Sequence, residues 1–431
     1  MSVWTENTKK ITKTPQNSTI KTDVLIIGGG IAEILCAYEL KNRGINCVIV
    51  ERDTVCGGTT HNTTAKITAQ HTLIYHKLIK QAGKDMAELY LNANLDAVKK
   101  YTALCQDIDC DFEIKDSFVY TRFNKNIIDD EFKALNSLGY NPIISTSLPL
   151  PFEIERAIGF REQAQFNPLK FLYAIAENLE IYEHTRVTQY KGSYITSTGG
   201  EIIAKNIVVA THFPIFNKHG LYPVKMHQER SYVIALKNAP DVNGMYIDES
   251  KEGLSLRNYG DVLLLGGGSH RTGKNGGKWE HLRQEKEKYF PDAQEIDRWA
   301  TQDCITLDGV PYIGYYSKNT NDCFVATGFN KWGMTSAMVA ANIIADMVTG
   351  KENKYARVFN PSRCMLTPKL VSNAFESAAG LLSPFGKRCP HLGCKLKWNK
   401  EEHTWDCSCH GSRFSENGKL IDTPANDDLQ N

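Results

Sequence analysis

Asp23-Val24-Leu25-Ile26-Ile27-Gly28-Gly29-Gly30 is the stretch of this 431-residue sequence that decides its fold. The apolar, β-branched run predicts a buried strand, and the glycines predict a tight turn where that strand ends. An amphipathic helix follows, with Ile31 and Leu35 near one face, and a second strand over 46–50 leads to Glu51. The order strand, glycine turn, helix, strand and acid predicts a nucleotide-binding βαβ unit.

The residue types in this unit suit a dinucleotide. Gly28 permits the tight turn, Gly30 lets the backbone approach a diphosphate, and the helix N-terminus supplies N–H groups. Glu51 can accept hydrogen bonds from both ribose hydroxyls. The third glycine of the G-x-G-x-x-G pattern is replaced by Glu33. We expect this bulky anion to weaken cofactor binding and to push the helix outwards. The glycines could alternatively serve only to form turns.

A dense group of cysteine and histidine residues lies near the C-terminus, in Cys389-Pro390-His391-Leu392-Gly393-Cys394 and Cys407-Ser408-Cys409-His410-Gly411-Ser412. Taking one Cys–His pair from each segment gives two thiolates and two imidazoles, which suits a [2Fe–2S] cluster with mixed ligands. Four such ligands could instead hold a tetrahedral structural zinc. A zinc ribbon usually presents two C-x-x-C knuckles, and this sequence has neither, so the iron–sulfur interpretation is favoured.

The amino-acid composition limits which partners and which cell compartment the sequence predicts. The 50 basic and 49 acidic residues nearly cancel, so nothing indicates binding to nucleic acid or to an anionic membrane. The apolar stretch Met334–Val348 is broken by Asn342 and Asp346, which predicts a buried helix and no membrane span. Residues 1–22 are polar and predict a loose arm without an apolar leader, so we expect a cytoplasmic protein. In that reducing compartment the 12 cysteines favour metal or redox chemistry.

The two C-terminal segments resemble those of Rieske proteins, in particular the form found in cytochrome-complex Rieske subunits. The resemblance implies that Cys394 and Cys409 can join the two loops by a disulfide. Ser412 matches a serine that donates to sulfur in high-potential relatives, but Phe414 replaces their tyrosine. Fewer donors imply a reduction potential lower than that of those relatives. The implied cluster ligands are Cys389, His391, Cys407 and His410.

The Rieske segment departs from its family before the first ligand loop, where a Rieske domain normally has several strands. In this chain only residues 362–388 lie between the flavin part and the first ligand loop, and the pattern over 370–382 predicts a helix and not strands. Two short strands, over 396–398 and 403–406, separate the loops. We therefore expect a shortened support that leaves the cluster loops exposed.

Motifs spread along the rest of the chain resemble the FAD-dependent oxidoreductases of the D-amino-acid oxidase superfamily, which includes glycine and sarcosine oxidases. The resemblance covers about residues 22–350. It rests, beyond the βαβ unit, on Cys56-Gly57-Gly58-Thr59-Thr60, Val208-Val209-Ala210-Thr211, Asp308-Gly309-Val310-Pro311-Tyr312-Ile313-Gly314 and Ala326-Thr327-Gly328-Phe329-Asn330-Lys331-Trp332-Gly333-Met334-Thr335.

This resemblance implies FAD as a cofactor and gives roles to particular residues. The helix that begins near Met334 would point its N-terminus at the flavin, where negative charge develops on reduction. Threonines at these positions could alternatively only cap helices. The implied FAD-binding residues are Gly28, Gly30, Glu51, Arg52, Gly58, Thr59, Thr64, Ala65, Lys66, Val187, Ala210, Thr211, Gly314, Gly328, Phe329, Trp332, Gly333, Met334 and Thr335.

The predicted fold class is α/β: a Rossmann-like FAD-binding domain with an interleaved antiparallel substrate domain, followed by a small, shortened β segment of Rieske type. The FAD-binding parts are expected at about 22–100, 155–220 and 300–350, and the substrate domain at about 101–154 and 221–299. The division of the chain is a polar arm over 1–21, the oxidoreductase over 22–360, a linker over 361–384 and the Rieske domain over 385–431.

The expected function is the oxidation of a small amine or amino acid, with electrons passing between FAD and the cluster and on to or from a redox partner protein. Flavoenzymes of this type remove a hydride next to nitrogen and mainly position the substrate. Two alternatives stay open: an electron-transfer protein without oxidase activity, and a decayed family member with structural zinc or no cluster. Candidate positioning residues are Lys66, Arg230, Tyr232, His270 and Trp332.

Overall fold

The computed structural model describes residues 2–6, 8–216, 220–250, 253–274, 279–363, 370, 381 and 386–429. Most of the predicted linker over 361–384, and with it the predicted helix over 370–382, lies outside the described residues. The rest of the chain has the predicted mixed α/β fold, built on three sheets.

The first sheet carries the βαβ unit. Its strands are β1 (Ile20–Ile27), β2 (Cys47–Val50), β7 (Ile181–Tyr182), β8 (Val187–Lys191), β9 (Tyr194–Ser197), β10 (Gly200–Val209), β16 (Tyr312–Tyr315) and β17 (Cys323–Thr327). They lie in the order β16-β17-β10-β1-β2-β7, and the hairpin β8–β9 extends from β10. The central strands β17, β10, β1, β2 and β7 are parallel, so their carboxyl ends meet at one edge, where such sheets bind nucleotides.

The second sheet is the larger one and is antiparallel except where β12 pairs with β4. Its strands are β3 (Lys66–Ile67), β4 (Glu113–Thr121), β5 (Ile143–Ser145), β6 (Arg156–Gln165), β11 (Met226–Lys237), β12 (Met245–Asp248), β13 (Ser255–Tyr259), β14 (Val262–Arg271) and β15 (Gln294–Thr306). They follow the order β15-β11-β14-β13-β12-β4-β6-β3, with β5 beside β6. The sheet is mainly antiparallel, but β3, β6 and the end of β15 lie outside the bounds of 101–154 and 221–299 that were predicted for the substrate domain, because β6 pairs with β4, β3 with β6 and β15 with β11.

The helices are α1 (Ile31–Asn42), α2 (Tyr75–Ala82), α3 (Lys84–Leu104), α4 (Lys125–Ser137), α5 (Pro168–Ala176), α6 (Tyr222–Lys225), α7 (Trp279–Tyr289), α8 (Gly333–Val348) and α9 (Ala356–Phe359). The predicted amphipathic character of α1 is wrong. Its side chains are buried nearly all round because α8 and α5 pack on the faces that the sheet leaves open. Within the parts of the chain that the structure describes, every helix is too short or too polar to span a bilayer.

The N-terminal arm is packed on the protein, which corrects the expectation of a loose arm. The Trp4 side chain is fully buried, and its indole N–H donates to the Thr63 carbonyl at 2.8 Å. Its ring meets Tyr259 edge-on with centroids 4.9 Å apart, and the Arg257 guanidinium lies 5.3 Å from its centroid. An aromatic residue inside a polar segment therefore anchors the arm beneath the loop that leads to Lys66.

The third sheet belongs to the C-terminal segment and has four antiparallel strands: β18 (Leu396–Asn399), β19 (Thr404–Cys407), β20 (Arg413–Ser415) and β21 (Leu420–Asp422). The expectation of exposed cluster loops is wrong for three of the four predicted ligands. Cys389, Cys407 and His410 are at most 2% exposed, because β20 and β21 follow the second loop and both loops pack against the flavin part of the chain.

Candidate flavin and cluster sites

A cavity of about 1080 Å³ is lined by residues of all three sheets. The first sheet contributes the carboxyl ends of its parallel strands, and the second contributes residues of β11, β14 and β15. The third contributes the segment from Arg413 to Asn426. A single cavity of this size, bounded by a glycine turn and an antiparallel sheet, has room for a dinucleotide and a small molecule beside it.

Most of the predicted FAD-binding residues line this cavity. They are Gly28, Gly30, Glu51, Arg52, Gly58, Thr59, Thr64, Lys66, Val187, Ala210, Thr211, Gly328, Phe329, Trp332, Gly333 and Met334. Ala65, Gly314 and Thr335 are not in its lining. Gly314 lies on the edge strand β16, where an added Cβ would meet Pro361 at 3.3 Å. Thr335 bonds His71 through its hydroxyl at 2.9 Å, and the Ala65 carbonyl accepts from Arg257 at 2.9 Å.

The start of α8 forms one end of the cavity. Gly333 and Met334 line it, and the Tyr101 hydroxyl holds the Met334 carbonyl at 2.9 Å. Trp332 stacks on His71 with ring centroids 4.9 Å apart and planes at 15°. Burial lowers the pKa of His71 to about 3, so the stacked imidazole is neutral. The helix N-terminus is thereby fixed at the cavity wall, a position from which it would stabilise negative charge on a flavin ring.

Lys66 is a buried lysine of the cavity lining, at 8% exposure. Its ammonium group donates to the Ser255 hydroxyl at 2.6 Å. Burial, and then the neighbouring Arg257 guanidinium, lower the pKa of Lys66 to about 7. A lysine in this state can give or take a proton near neutral pH.

Arg230 and Tyr232 line the cavity on β11, but their polar groups are bound by the cluster segment. The Arg230 guanidinium donates to both carboxylate oxygens of Glu402, with the Nε–Oε1 distance at 2.8 Å. The Tyr232 hydroxyl donates to the same carboxylate at 3.3 Å. His270 is outside the cavity lining and stacks on Tyr232, with ring centroids 5.6 Å apart. The polar groups of Arg230 and Tyr232 are therefore engaged by Glu402 at the boundary between the two parts, and His270 contacts Tyr232 within the second sheet.

Glu402 also binds Arg413, so one carboxylate serves two guanidinium groups. The Arg413 side chain donates to Glu402 at 2.7 Å, to Asp406 at 3.1 Å and to Asp422 at 2.9 Å. Arg230, Arg413 and Glu402 are each less than 10% exposed in their side chains. This buried ionic group, defined by Arg230, Glu402, Asp406, Arg413 and Asp422, fastens the cluster segment to β11.

The four predicted cluster ligands are brought together at the tips of two similar loops. In each loop the cysteine carbonyl accepts from a glycine four residues later: Cys389 from Gly393, and Cys407 from Gly411, both at 2.9 Å. The two ligand histidine rings, those of His391 and His410, have centroids 5.0 Å apart. The two loops thus present a thiol and an imidazole each.

The chemistry of these groups fits a [2Fe–2S] cluster with two thiolates and two imidazoles. Hydrogen bonds from Cys407 and from the Ser412 hydroxyl lower the pKa of the Cys389 thiol to about 7. Burial lowers the pKa of His391 to about 4 and that of His410 to about 3, which keeps both rings in the neutral form that binds metal. The Nδ1 atom of His410 is buried and bonds none of the described residues. A metal ligand bond would satisfy it.

The predicted disulfide is present: Cys394 and Cys409 join the two loops, with Cα atoms 6.5 Å apart. The sulfurs of Cys394, Cys407 and Cys409 lie within 4.8 Å of one another. Two of these three are already bonded to each other, so the group cannot supply three thiolates to a zinc ion. The two Cys–His pairs are therefore left as the candidate metal ligands.

Side chains of the flavin part hold the second cluster loop by its carbonyl groups. The Arg271 guanidinium donates to the carbonyls of Ser408 and Cys409, both at 3.0 Å. The Gln228 amide donates to the His410 carbonyl and the Gln302 amide to the Gly411 carbonyl, both at 2.8 Å. The loop is therefore seated on β11, β14 and β15.

Phe213, in the flavin part, contacts both histidines that are predicted to bind the cluster. Its ring centroid lies 6.3 Å from that of His391 and 6.5 Å from that of His410. Phe213 is fully buried and directly follows Ala210, Thr211 and His212, which line the cavity. Sequence reasoning stopped at Ala210-Thr211 and missed Phe213. The sequence indicates Phe213 only through its position two residues after this motif. A single aromatic residue after a strand is weak evidence for a functional role.

The end of the chain closes the nucleotide end of the cavity. Arg52 donates to the Ile421 carbonyl at 3.3 Å, and Arg186 donates to the Asn426 carbonyl at 2.6 Å. The segment from Leu420 to Thr423 lines the same cavity as Glu51 and Val187. The Rieske segment is thus a wall of the flavin site as well as the holder of the cluster.

The fold and the two sites define a flavoenzyme with its own Rieske centre. Residues 23–347 match the family described as FAD dependent oxidoreductase, and residues 370–431 match the Rieske [2Fe-2S] domain. The chain belongs to this FAD-dependent oxidoreductase family and carries a C-terminal Rieske domain. The resemblance predicted from its motifs is confirmed, and its cofactors are FAD and a [2Fe–2S] cluster.

Among known proteins, the chain is similar to YhfW of Bacillus subtilis (strain 168), which is named as a Rieske 2Fe-2S iron-sulfur protein. The two sequences are 36% identical over a match that is 467 positions long, and this match covers 94% of this chain and 92% of YhfW. The cytochrome b6-f complex iron-sulfur subunit of Synechococcus sp. (strain JA-3-3Ab) is 51% identical over 37 residues, 9% of this chain and 22% of the subunit.

Solved structures show the same fold for the flavin part. Glycine oxidase from Geobacillus kaustophilus has a TM-score of 0.66 at 19% identity, covering 80% of this chain and 100% of the oxidase. L-proline dehydrogenase from P. horikoshii has a TM-score of 0.68 at 18% identity, covering 80% and 98%. At these identities the likeness extends to the fold.

Proposed function

We propose that this protein oxidises a small amine or amino acid at its flavin site and passes the electrons through its Rieske cluster to an outside redox protein. Converting an amine to an imine releases two electrons and two protons, and water then hydrolyses the imine. FAD supplies a two-electron acceptor for this reaction, and the cluster supplies a one-electron carrier. The outside acceptor completes the balance by taking the two electrons in separate steps.

The contact of Phe213 with both histidine ligands carries this proposal. The cavity wall runs from Ala210 through His212 directly to Phe213, so the path from cavity to cluster lies within one short segment. Arg271, Gln228 and Gln302 hold the cluster loop against the same region. A cluster seated in this way is placed to exchange electrons with the flavin of its own chain.

The antiparallel face of the cavity offers polar groups to a small amine. Lys66 lies beside Ser255, and Glu229 is paired with Lys331 at 3.0 Å. Asp303 lies opposite Glu229 in the strand pair, and burial raises the pKa of Asp303 to about 6. A substrate must lose its ammonium proton before a hydride can leave the neighbouring carbon. Lys66 in its neutral form is the group that takes this proton in the proposed reaction.

The names of two proteins that share the fold, glycine oxidase and L-proline dehydrogenase, support an amine or amino acid as substrate class. An L-alpha-glycerophosphate oxidase from Mycoplasma pneumoniae shares the fold as well, with a TM-score of 0.62 at 15% identity, so a hydroxyl substrate is the natural comparison.

The test is an anaerobic screen of the holoprotein that follows flavin absorbance. Secondary amines, glycine derivatives and proline form one panel, and glycerol phosphate with 2-hydroxy acids forms the matched control panel. We expect at least one amine to bleach the flavin and every control to leave it oxidised. Bleaching by control compounds alone, or by no compound while dithionite still reduces the flavin, would overturn the proposed substrate class.

A further inference from the structure

The N–H groups at the start of α1 already face side chains of the chain itself. Ile31 donates its N–H to the Thr60 hydroxyl at 3.1 Å. The backbone N–H groups of Gly30 and of Glu33 act on the Glu33 carboxylate and lower its pKa, and that of Gly29 acts on Glu51 in the same way. These N–H groups are the ones that hold a diphosphate in a glycine-turn βαβ unit.

The Glu33 side chain folds back over the glycine turn. It is 4% exposed. A Cβ added to Gly30 would lie 3.1 Å from Glu33 Oε2, and one added to Gly28 would collide with Oε1. The carboxylate therefore occupies the space that the missing glycine side chains leave open.

We propose that Glu33 is an internal competitor for the diphosphate of FAD. Its buried carboxylate lies over the glycine turn and the anion-binding N–H groups of α1, and it must move away or take up a proton when the cofactor binds. The remainder of the cavity fits FAD, so Glu33 sets how tightly the cofactor is held and makes that affinity depend on pH.

The charges around Glu33 give the direction of this dependence. Burial, and then the nearby Glu51 carboxylate, raise the pKa of Glu33 to about 8 against the effect of its two N–H bonds. The thiols of Cys36 and Cys56 also face it, and no cation is among the described groups that act on it. Its environment thus favours the protonated form already at neutral pH.

A diphosphate adds negative charge at the same place, so the pKa of Glu33 is higher with FAD bound than without it. Binding is then accompanied by proton uptake. Affinity for FAD is full below about pH 8 and falls as the pH rises above that value, by at most about tenfold per pH unit. A carboxyl group that stays protonated can also donate to a phosphate oxygen.

Three variants separate this effect from general damage. Glu33→Gln keeps the shape and removes the charge, and Glu33→Gly restores the open glycine turn. Glu39→Gln is the matched control, because Glu39 lies in the same helix, is 7% exposed and is engaged by Lys100 at 2.7 Å, away from the turn.

The experiment is ultrafiltration of the holoprotein at pH values from about 6 to about 9, with released FAD measured by fluorescence after return to one neutral buffer. We expect wild type and Glu39→Gln to release several-fold more FAD at the alkaline end. Glu33→Gln and Glu33→Gly are expected to hold FAD more tightly there, with no slope. A flat wild-type profile, or an unchanged slope in Glu33→Gln, would overturn the proposal.

Circular dichroism at each pH confirms that the compared samples are folded. The measurement of FAD release needs neither substrate nor cluster. A negative result would therefore contradict the role of Glu33 without bearing on the proposed electron path.

Discussion

Phe213 makes an edge contact with His410 across the boundary between the flavin part and the Rieske segment, with ring centroids 6.5 Å apart and planes at 66°. The same ring lies 6.3 Å from His391. Neither histidine is near Phe213 in sequence, so the contact depends on how the Rieske segment is seated. It joins the two cofactor sites through one fully buried side chain.

Phe213→Leu is expected to slow electron transfer from flavin to cluster several-fold, because the smaller side chain leaves a gap beside both histidine rings. Leucine keeps the site apolar and limits the loss of stability. Rapid mixing with substrate, with flavin and cluster absorbance followed separately, measures the rate. Phe216→Leu is the control, since Phe216 stacks on Tyr190 at 4.8 Å and is in the same segment. Equal rates in both variants would contradict a role for Phe213.

Cys407→Ser is expected to abolish the paramagnetic signal of the reduced cluster and to leave flavin absorbance in place, because a serine hydroxyl is a poor ligand for iron here. Cys47→Ser is the control, since Cys47 is in β2 and its thiol donates to the Ala37 carbonyl. Electron paramagnetic resonance after dithionite reduction decides the outcome. A full signal in Cys407→Ser would remove Cys407 from the ligand set.

Lys66→Met is expected to lower kcat/KM about 100-fold or more if Lys66 takes the substrate proton. Because burial lowers the pKa of Lys66 to about 7, the neutral form is lost as the pH falls through 7. Wild-type kcat/KM should therefore fall about tenfold per pH unit below pH 7 and level off above it. The Lys66→Met variant should not show this fall of kcat/KM below pH 7. If the variant shows the same fall, the pH dependence belongs to another group.

Glu402→Gln is expected to destabilise the protein by about 3 to 5 kcal/mol, because it leaves the buried Arg230 and Arg413 side chains without their shared anion. Thermal unfolding of the holoprotein measures the loss. The control is Glu295→Gln, whose partner Arg283 lies at 2.8 Å in a half-exposed pair and whose loss should be small. Comparable midpoints for the two variants would show that the ionic group contributes little.

The sequence predicts those parts of the molecule that short-range patterns encode. The βαβ unit, the start of α8, the cluster ligands and the disulfide pair all follow from residues close together in the chain. The contacts of Arg230 and Tyr232 with Glu402 join positions about 170 residues apart, and nothing in either local pattern indicates them. For the same reason a polar N-terminal segment gave no hint that Trp4 would be fully buried.

Glu33 shows a different limit. The replacement of a glycine was visible, but whether its side chain points out or folds over the turn depends on the packing of α5 and α8 around α1. The Rieske segment is similar, because side chains of β11, β14 and β15 in the flavin part hold its second loop. The direction of the Glu33 side chain and the support of the Rieske segment both depend on tertiary packing, which the local sequence does not determine.

The central claim is that electrons taken from the substrate reach the cluster of the same chain. The most direct measurement is rapid-freeze electron paramagnetic resonance of anaerobically purified holoprotein, mixed with a reducing substrate and no other electron donor. We expect a rhombic Rieske-type signal that grows as flavin absorbance falls, at a rate independent of protein concentration. A flavin that bleaches fully while the cluster stays oxidised, although dithionite reduces it, would contradict the account.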